Sequence, residues 1–313
     1  MTDPTFHVFL NASSGTMLAG GVAADQIVQQ FASAGGQVSI DADSGRSFDQ
    51  RLMTARNSAA PVLVAAGGDG TATALAQVAI ETGKRLLVLP LGTANLLARD
   101  LRLPLAVDAW FAALPEMTEQ QIDVAEVNGR LFLHKVVIGT VPGIAAVREK
   151  IRGNSTWAAR LGFASHFIHK LSNIRRFAVE ITTEAGTPYI HRVHSIAVVN
   201  NDYDEGLGKL FHRSRLDAGF LSLYIIRSLS LPNALRLFLE MLLGSWRQDQ
   251  VLEVENVTSV TVRTRRRKMR AMIDGEVQLI EGPLDFRIRP RALTVLAPPA
   301  APAETEAQDV VAG

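Results

Sequence analysis

Along the chain, apolar and polar positions fall into two textures that change near residue 122. Upstream, short apolar runs alternate with longer stretches of helical spacing. His7–Leu10 predicts a strand, Ala23–Ala34 a helix, Val38–Ile40 a second strand and Phe48–Arg56 a helix; Val62–Ala66, Thr71–Thr82 and Arg85–Leu89 then read strand, helix, strand. This βαβα order predicts a parallel sheet with helices on both faces, an architecture that binds ligands beyond the carboxyl ends of its strands. Three turns fall on that edge, at Asn11–Gly15, Gly67–Thr71 and Pro90–Asn95.

Downstream, shorter segments with period-two alternation take over. Gln121–Val127, Arg130–Ile138, Phe177–Thr183, Tyr189–Asn200, Phe220–Ile226, Val257–Thr264, Ala271–Ile273 and Leu284–Ile288 predict antiparallel strands. Helical stretches at Thr156–Leu171 and Leu231–Trp246 interrupt them, the second with Pro232 in its first turn. The predicted organisation is an α/β, Rossmann-like N-terminal domain over 1–121 and a β-rich, sandwich-like domain over 122–297. A disordered tail follows over 298–313, and the residues near 290–297 are placed to pack back on the first domain.

The turn Gly67-Gly68-Asp69-Gly70-Thr71 carries the first chemical signal. Glycines let backbone N–H groups approach a ligand without Cβ interference, and the start of the following helix attracts phosphate oxygens. Asp69 then suits a divalent cation or a sugar hydroxyl. The plainer reading is a tight strand-to-helix turn with Asp69 or Thr71 as N-cap. Pro90-Leu91-Gly92-Thr93-Ala94-Asn95 repeats the same design, and Asp274-Gly275-Glu276 places two more carboxylates near the far end of the chain. Without a nucleotide site nearby, those acids read as the solvated residues of a hairpin turn.

These motifs, in this order and at these strand ends, resemble the diacylglycerol kinase catalytic-domain superfamily, which includes bacterial lipid kinases and sphingosine kinases and shares its fold type with NAD kinases. Ile288–Val295 resembles the family's closing strand, so the likeness covers residues from about 5 to 297. The resemblance implies an ATP-dependent kinase that transfers the γ-phosphate to a lipid hydroxyl, diacylglycerol-like or sphingoid-like, with Mg2+ as cofactor. It implies nucleotide contacts at Asn11, Ser13, Ser14, Gly15, Asp41, Gly67, Gly68, Asp69, Gly70, Thr71, Thr73, Gly92, Thr93 and Asn95. Glu276 corresponds to the proton acceptor, with Asp274 and Asp69 as further catalytic carboxylates.

Departures from the family pattern are local. Ala12 replaces the usual proline of the first turn, and Thr73 and Ala74 stand where Asn and Glu are common. In Arg215-Leu216-Asp217-Ala218-Gly219-Phe220, Ala218 replaces the aspartate of a structural magnesium site, leaving Asp217 with the carbonyls of Arg215 and Phe220 as the expected ligands. The alternatives are an NAD-kinase-like enzyme acting on a small molecule, or a non-catalytic lipid- or nucleotide-binding relative.

Composition narrows the partners. The 313 residues are 47% hydrophobic, enough for a large core, and 32 basic against 31 acidic side chains make no global case for nucleic acid. The local exception is Arg263, Arg265, Arg266, Arg267, Lys268 and Arg270, a run without interleaved aromatics. It suits anionic headgroups at a membrane surface better than nucleic acid, or else is a solvated hairpin. The absence of cysteine excludes disulfides, thiolate metal sites and cysteine nucleophiles. Met-Thr-Asp-Pro-Thr-Phe-His lacks a secretory pattern, and the most apolar stretch, Leu235–Trp246, is broken by Arg236 and Glu240. A cytoplasmic protein with peripheral membrane contact is expected, and homodimer formation is left open.

Overall fold

The computed structural model describes residues 5–11, 24–33, 36–139, 176–205, 212–227, 230–243 and 245–299. Ser13, Ser14 and Gly15, the helix expected over 156–171 and residues 300–313 of the expected tail lie outside the described residues. An α/β domain joins a β-rich sandwich domain.

In the first domain, β1 (Phe6–Leu10), β2 (Val38–Asp41), β3 (Val62–Gly67) and β4 (Arg85–Pro90) form a parallel sheet in the order β2-β1-β3-β4. β3 and nearly all of β1 and β4 are buried, as expected of parallel strands covered on both faces. The helices are α1 (Ala24–Ser33), α2 (Phe48–Asn57), α3 (Asp69–Thr82), α4 (Leu96–Asp100) and α5 (Val107–Ala113). α1 packs Ile27 and Phe31 inward. α2 begins at a capping box, in which Ser47 Oγ accepts from Gln50 N–H and the Gln50 side chain accepts from Ser47 N–H. α5 inserts Trp110, fully buried, whose indole N–H donates to the Val88 carbonyl at 2.8 Å.

In the second domain the apolar runs that read as single strands are broken, and each break carries the chain from one sheet to another. Arg130–Ile138 divides into β6 (Arg130–Phe132) and β7 (Lys135–Gly139), and Tyr189–Asn200 into β9 (Tyr189–Val193) and β10 (Ser195–Asn200). Val257–Thr264 divides likewise between β12 (Leu252–Val257) and β13 (Ser259–Thr264). One sheet has the order β12-β11-β10-β7-β14-β15, with β11 at Leu221–Ile226, β14 at Lys268–Ile273 and β15 at Glu276–Glu281. The crossing residues Leu133, His134 and His194 are buried, so burial alone gives no sign of the break.

The other sheet is continuous with the first domain. β16 (Leu284–Ala297) pairs with β13 at its start and meets β4 in parallel at Val295↔Leu86 near its end. β5 (Thr118–Val127) runs antiparallel to it throughout, from Phe286↔Val127 to Ala297↔Thr118, with an irregularity between Arg289 and Leu293. β8 (Phe177–Thr183) and β9 complete a ten-stranded sheet. At the irregularity Arg291 has φ 50°, and its N–H donates to the buried carboxylate of Asp123, which also accepts from Gly219 N–H. Among the described residues no helix is long and apolar enough to cross a membrane. α6 (Leu231–Leu243) packs Leu237 beside Tyr203, Tyr224 and Trp246 on the outer face of the six-stranded sheet.

A buried ion pair also joins the domains. Arg213 is wholly inaccessible to solvent; its guanidinium meets Asp100 of α4 and donates to the carbonyls of Leu133 and Asn200 at 2.9 and 2.7 Å. Burial pushes the Asp100 carboxyl above the usual carboxylate range, and Arg213 opposes that shift. Removing one partner leaves an uncompensated buried charge, so Arg213→Met is expected to cost about 3–5 kcal/mol in urea unfolding. The double variant Arg213→Met/Asp100→Leu should recover part of it, and a single-variant loss below about 1 kcal/mol contradicts the clamp.

Candidate functional site

Four turns meet at the carboxyl edge of the parallel sheet and enclose a cleft of about 1150 Å3. The first is the Gly67–Thr71 turn. Gly68 is the N-cap of α3 and no side chain caps it, so neither Asp69 nor Thr71 acts as the N-cap. The first N–H groups of α3 are thus left for another acceptor, which is the requirement for an anion site at a helix start. Thr71 is buried, and its hydroxyl accepts from the Asn11 amide at 3.0 Å, which fixes the end of β1 against α3.

The Pro90–Asn95 turn lies directly against the first. A Cβ on Gly92 would stand 2.5 Å from Gly68 Cα, so the two backbones approach as closely as glycine allows. Asn95, at φ 50°, closes its own loop by accepting from Gly92 N–H and donating to the Gly92 carbonyl, both at 2.9 Å. Its side chain is therefore committed to the turn, whereas Thr93 is exposed on the cleft wall. Asp69 stitches the turns together, because its carboxylate accepts from Leu96 N–H at 2.6 Å.

The third turn belongs to the second domain. Asp274 and Gly275, at φ 45° and 94°, form the two-residue tip of the β14–β15 hairpin, the Asp-Gly arrangement suited to a tight hairpin. Because the chain reverses here, the rule that alternate residues share a strand face does not hold for Asp274 and Glu276. The fourth turn on the cleft is that between β5 and β6, at Gly129–Leu131, and behind it the Asp274 carboxylate accepts from the N–H groups of Leu133, His134 and Lys135 in the β6–β7 crossover at 2.7, 2.9 and 2.9 Å. Thr73 of α3 reaches the same carboxylate at 3.3 Å. Glu276 points the other way, over the start of α3, where a Cβ on Gly70 would be only 2.8 Å from its Oε1.

The three carboxylates thus differ in what they hold. Burial pushes both the Asp69 and Asp274 carboxyls up, against the backbone N–H groups that favour their charged forms. Glu276 is exposed to the cleft, and among the described residues no hydrogen bond or ion pair engages it. Beside Asp274, burial and the Arg213 charge bring the Lys135 ammonium down to about 8. The turn spacing that marks Glu276 and Asp69 gives no hint of Lys135, Arg213 or Asp100. Lys135 and Asp100 carry only the signal of a charge within an apolar segment, and Arg213, in Phe-His-Arg-Ser-Arg, carries none.

Asp41 stands apart from the cleft. Its carboxylate accepts from Arg51 Nε at 2.8 Å, and Arg51 also donates to the Leu10 carbonyl and lies 4.1 Å from the Phe9 ring centre. This buried ion pair ties α2 to the sheet. At the turn expected to hold magnesium, the polar groups meet protein partners. Asp217 lies 3.8 Å from both Arg215 and Arg291, and the Phe220 carbonyl accepts from Asn201 N–H at 3.0 Å. Among the described residues no three His, Asp or Glu side chains gather to hold a metal ion.

The Gly68–Gly92 contact is asymmetric, and this gives a direct test. Gly92→Ala drives a methyl into backbone, whereas a Cβ on Gly68 stays 3.4 Å from Gly92 Cα. In urea unfolding, Gly92→Ala is expected to cost about 1–3 kcal/mol and Gly68→Ala less than about 1 kcal/mol. Equal losses would mean that the turns are not locked together.

Comparison with known proteins agrees with this architecture. Residues 5–127 match the diacylglycerol kinase catalytic domain, and residues 140–297 match the YegS C-terminal NAD kinase beta sandwich-like domain. A Pseudomonas aeruginosa protein named "Probable lipid kinase YegS-like" is 40% identical over 102 residues, 32% of each chain. A protein of the same name from Yersinia pestis is 32% identical over 120 residues, 37% of this chain and 39% of its own. The matched segment thus spans about a third of the length of these curated relatives. The crystal structure of a diacylglycerol kinase from Bacillus anthracis superimposes with a TM-score of 0.66 over 96% of this chain and 99% of that one, at 17% identity, which is a likeness of fold. With both domain matches in sequence along it, the chain belongs to the diacylglycerol kinase catalytic-domain family whose members carry a YegS-type C-terminal domain.

Proposed function

We propose that the protein is a lipid kinase that transfers the γ-phosphoryl group of ATP to a lipid hydroxyl. The observation that carries this reading is the Glu276 carboxylate over Gly70, at a helix start whose N–H groups no side chain caps. A phosphate acceptor site and an uncommitted carboxylate therefore face each other across the domain boundary.

Phosphoryl transfer is mainly a matter of alignment and charge neutralisation. The N–H groups at the start of α3 suit the phosphate oxygens, and the close Gly68–Gly92 approach leaves the turn surface without side-chain bulk. Glu276 takes the proton from the acceptor hydroxyl as its oxygen bonds to the γ-phosphorus and the bond to the departing ADP breaks. Asp274 holds the hairpin tip that presents Glu276. Carboxylate oxygens of the Asp69 and Glu276 kind fit a magnesium ion brought with the nucleotide, which would neutralise phosphate charge during transfer. Leu131, Met272 and Val277 give the second-domain wall of the cleft an apolar character suited to a lipid acceptor.

Glu276→Gln keeps the size of the side chain and removes the base. Transfer of label from radiolabelled ATP to extracted lipid is expected to fall about 10²–10⁴-fold, with the melting temperature unchanged. A variant as active as the parent would refute the role of Glu276. A parent protein that labels a soluble dinucleotide and no lipid would replace the acceptor class.

A further inference from the structure

The lipid-kinase reading leaves open how a cleft in this fold meets an acceptor held in a bilayer. We propose that the loop carrying the chain from β13 to β14 and the outer face of the β14–β15 hairpin together form a docking ramp for an anionic membrane surface, leading from the headgroups to the cleft that holds Glu276. The proposal rests on the reading of the acceptor as a lipid.

The basic run lies in the loop that carries the chain from β13 in one sheet to β14 in the other, and on the strand ends beside it. Arg263, Arg265, Arg266, Arg267, Lys268 and Arg270 are all exposed. Glu281 pairs with Lys268 at 2.9 Å and lies 4.0 Å from Arg267. Among the described residues no acid pairs with Arg265, Arg266 or Arg270. A solvated loop in a chain of net charge +1 has no need to concentrate unpaired cations at one point.

The register then connects this loop to the cleft. On one face of β14–β15 the cross-strand pairs are Lys268↔Glu281, Arg270↔Leu279 and Met272↔Val277, after which the chain turns at Asp274-Gly275. Leu279 is 63% exposed, among the most exposed large apolar side chains of the described residues. Met272 and Val277, one rung further, line the cleft together with Glu276. Charge therefore gives way to apolar side chains within three rungs, a distance of about 14 Å at ordinary strand rise, and the last rung opens on the cleft that Glu276 also lines. That distance is close to the depth of one bilayer leaflet, about 15 Å. A lipid drawn along the ramp keeps its chains on Leu279, Val277 and Met272 while the basic loop stays at the phosphates and the hydroxyl arrives at Glu276.

An anionic bilayer is the partner favoured by this order of chemistry. Nucleic acid would meet the cations equally but has no use for Leu279 or for a path into the cleft.

The test is co-sedimentation of the full chain, without nucleotide, with vesicles of phosphatidylcholine alone or of phosphatidylcholine mixed with phosphatidylglycerol. Binding is expected only to the mixed vesicles and to weaken with salt. The triple variant R265Q/R266Q/R270Q should partition about a hundredfold less, and Leu279→Asp should also bind more weakly, with melting temperatures unchanged. Unchanged partition of the triple variant, equal binding to uncharged vesicles, or equal binding of a DNA duplex that is insensitive to Leu279→Asp would each overturn the ramp. A protein that labels detergent-dispersed lipid and ignores mixed vesicles overturns the ramp alone. One that docks as expected and labels no lipid keeps the surface and removes the kinase reading.

Discussion

The site depends on one buried carboxylate whose oxygens are held by backbone N–H groups. Asp274 gathers three successive N–H groups from the crossover between β6 and β7 and so fastens the hairpin tip at Gly275 to the strands behind it. Each such bond to a charged acceptor contributes about 1.5–3 kcal/mol, more than neutral turn contacts supply. The same carboxylate receives Thr73 from the first domain, so the tip is referenced to both domains at once. Glu276, two residues on, inherits a defined place over Gly70.

A common economy runs through the cleft. Asp69 and Asp274 spend their oxygens on backbone N–H groups of neighbouring turns and act as bolts between segments far apart in sequence, while Asn95 closes its own turn on Gly92. Burial makes such bolts effective, since an acceptor removed from water binds its remaining donors more firmly. What remains exposed is then selective: uncapped helix N–H groups, the Thr93 hydroxyl and the Glu276 carboxylate.

The pattern of the sequence disclosed the parallel sheet and its edge because buried strands, helical spacing and glycine turns each have a local cause. The roles of the short polar residues were less legible. Asp41, Asn95 and Asp274 are of types that hydrogen-bond a neighbouring backbone as readily as a ligand, and sequence does not separate the two uses. Asp41 went to Arg51, ten residues away, and Asp274 to N–H groups about 140 residues away. Arg213 and Asp100, 113 residues apart, had no periodic signal at all. The sheet exchanges at His134, His194 and Thr258 were hidden because period-two alternation continues across a crossing that stays within the strand-rich texture.

The long pairing of β5 with β16 has a mechanical meaning. Domains joined by a flexible linker open like a book, but these two are threaded by a ribbon whose ladder runs from Phe286↔Val127 to Ala297↔Thr118. Both strands of the ribbon cross the domain boundary, so the domains cannot separate without bending two paired strands together, and the Arg213–Asp100 pair and the Thr73–Asp274 contact hold the same boundary.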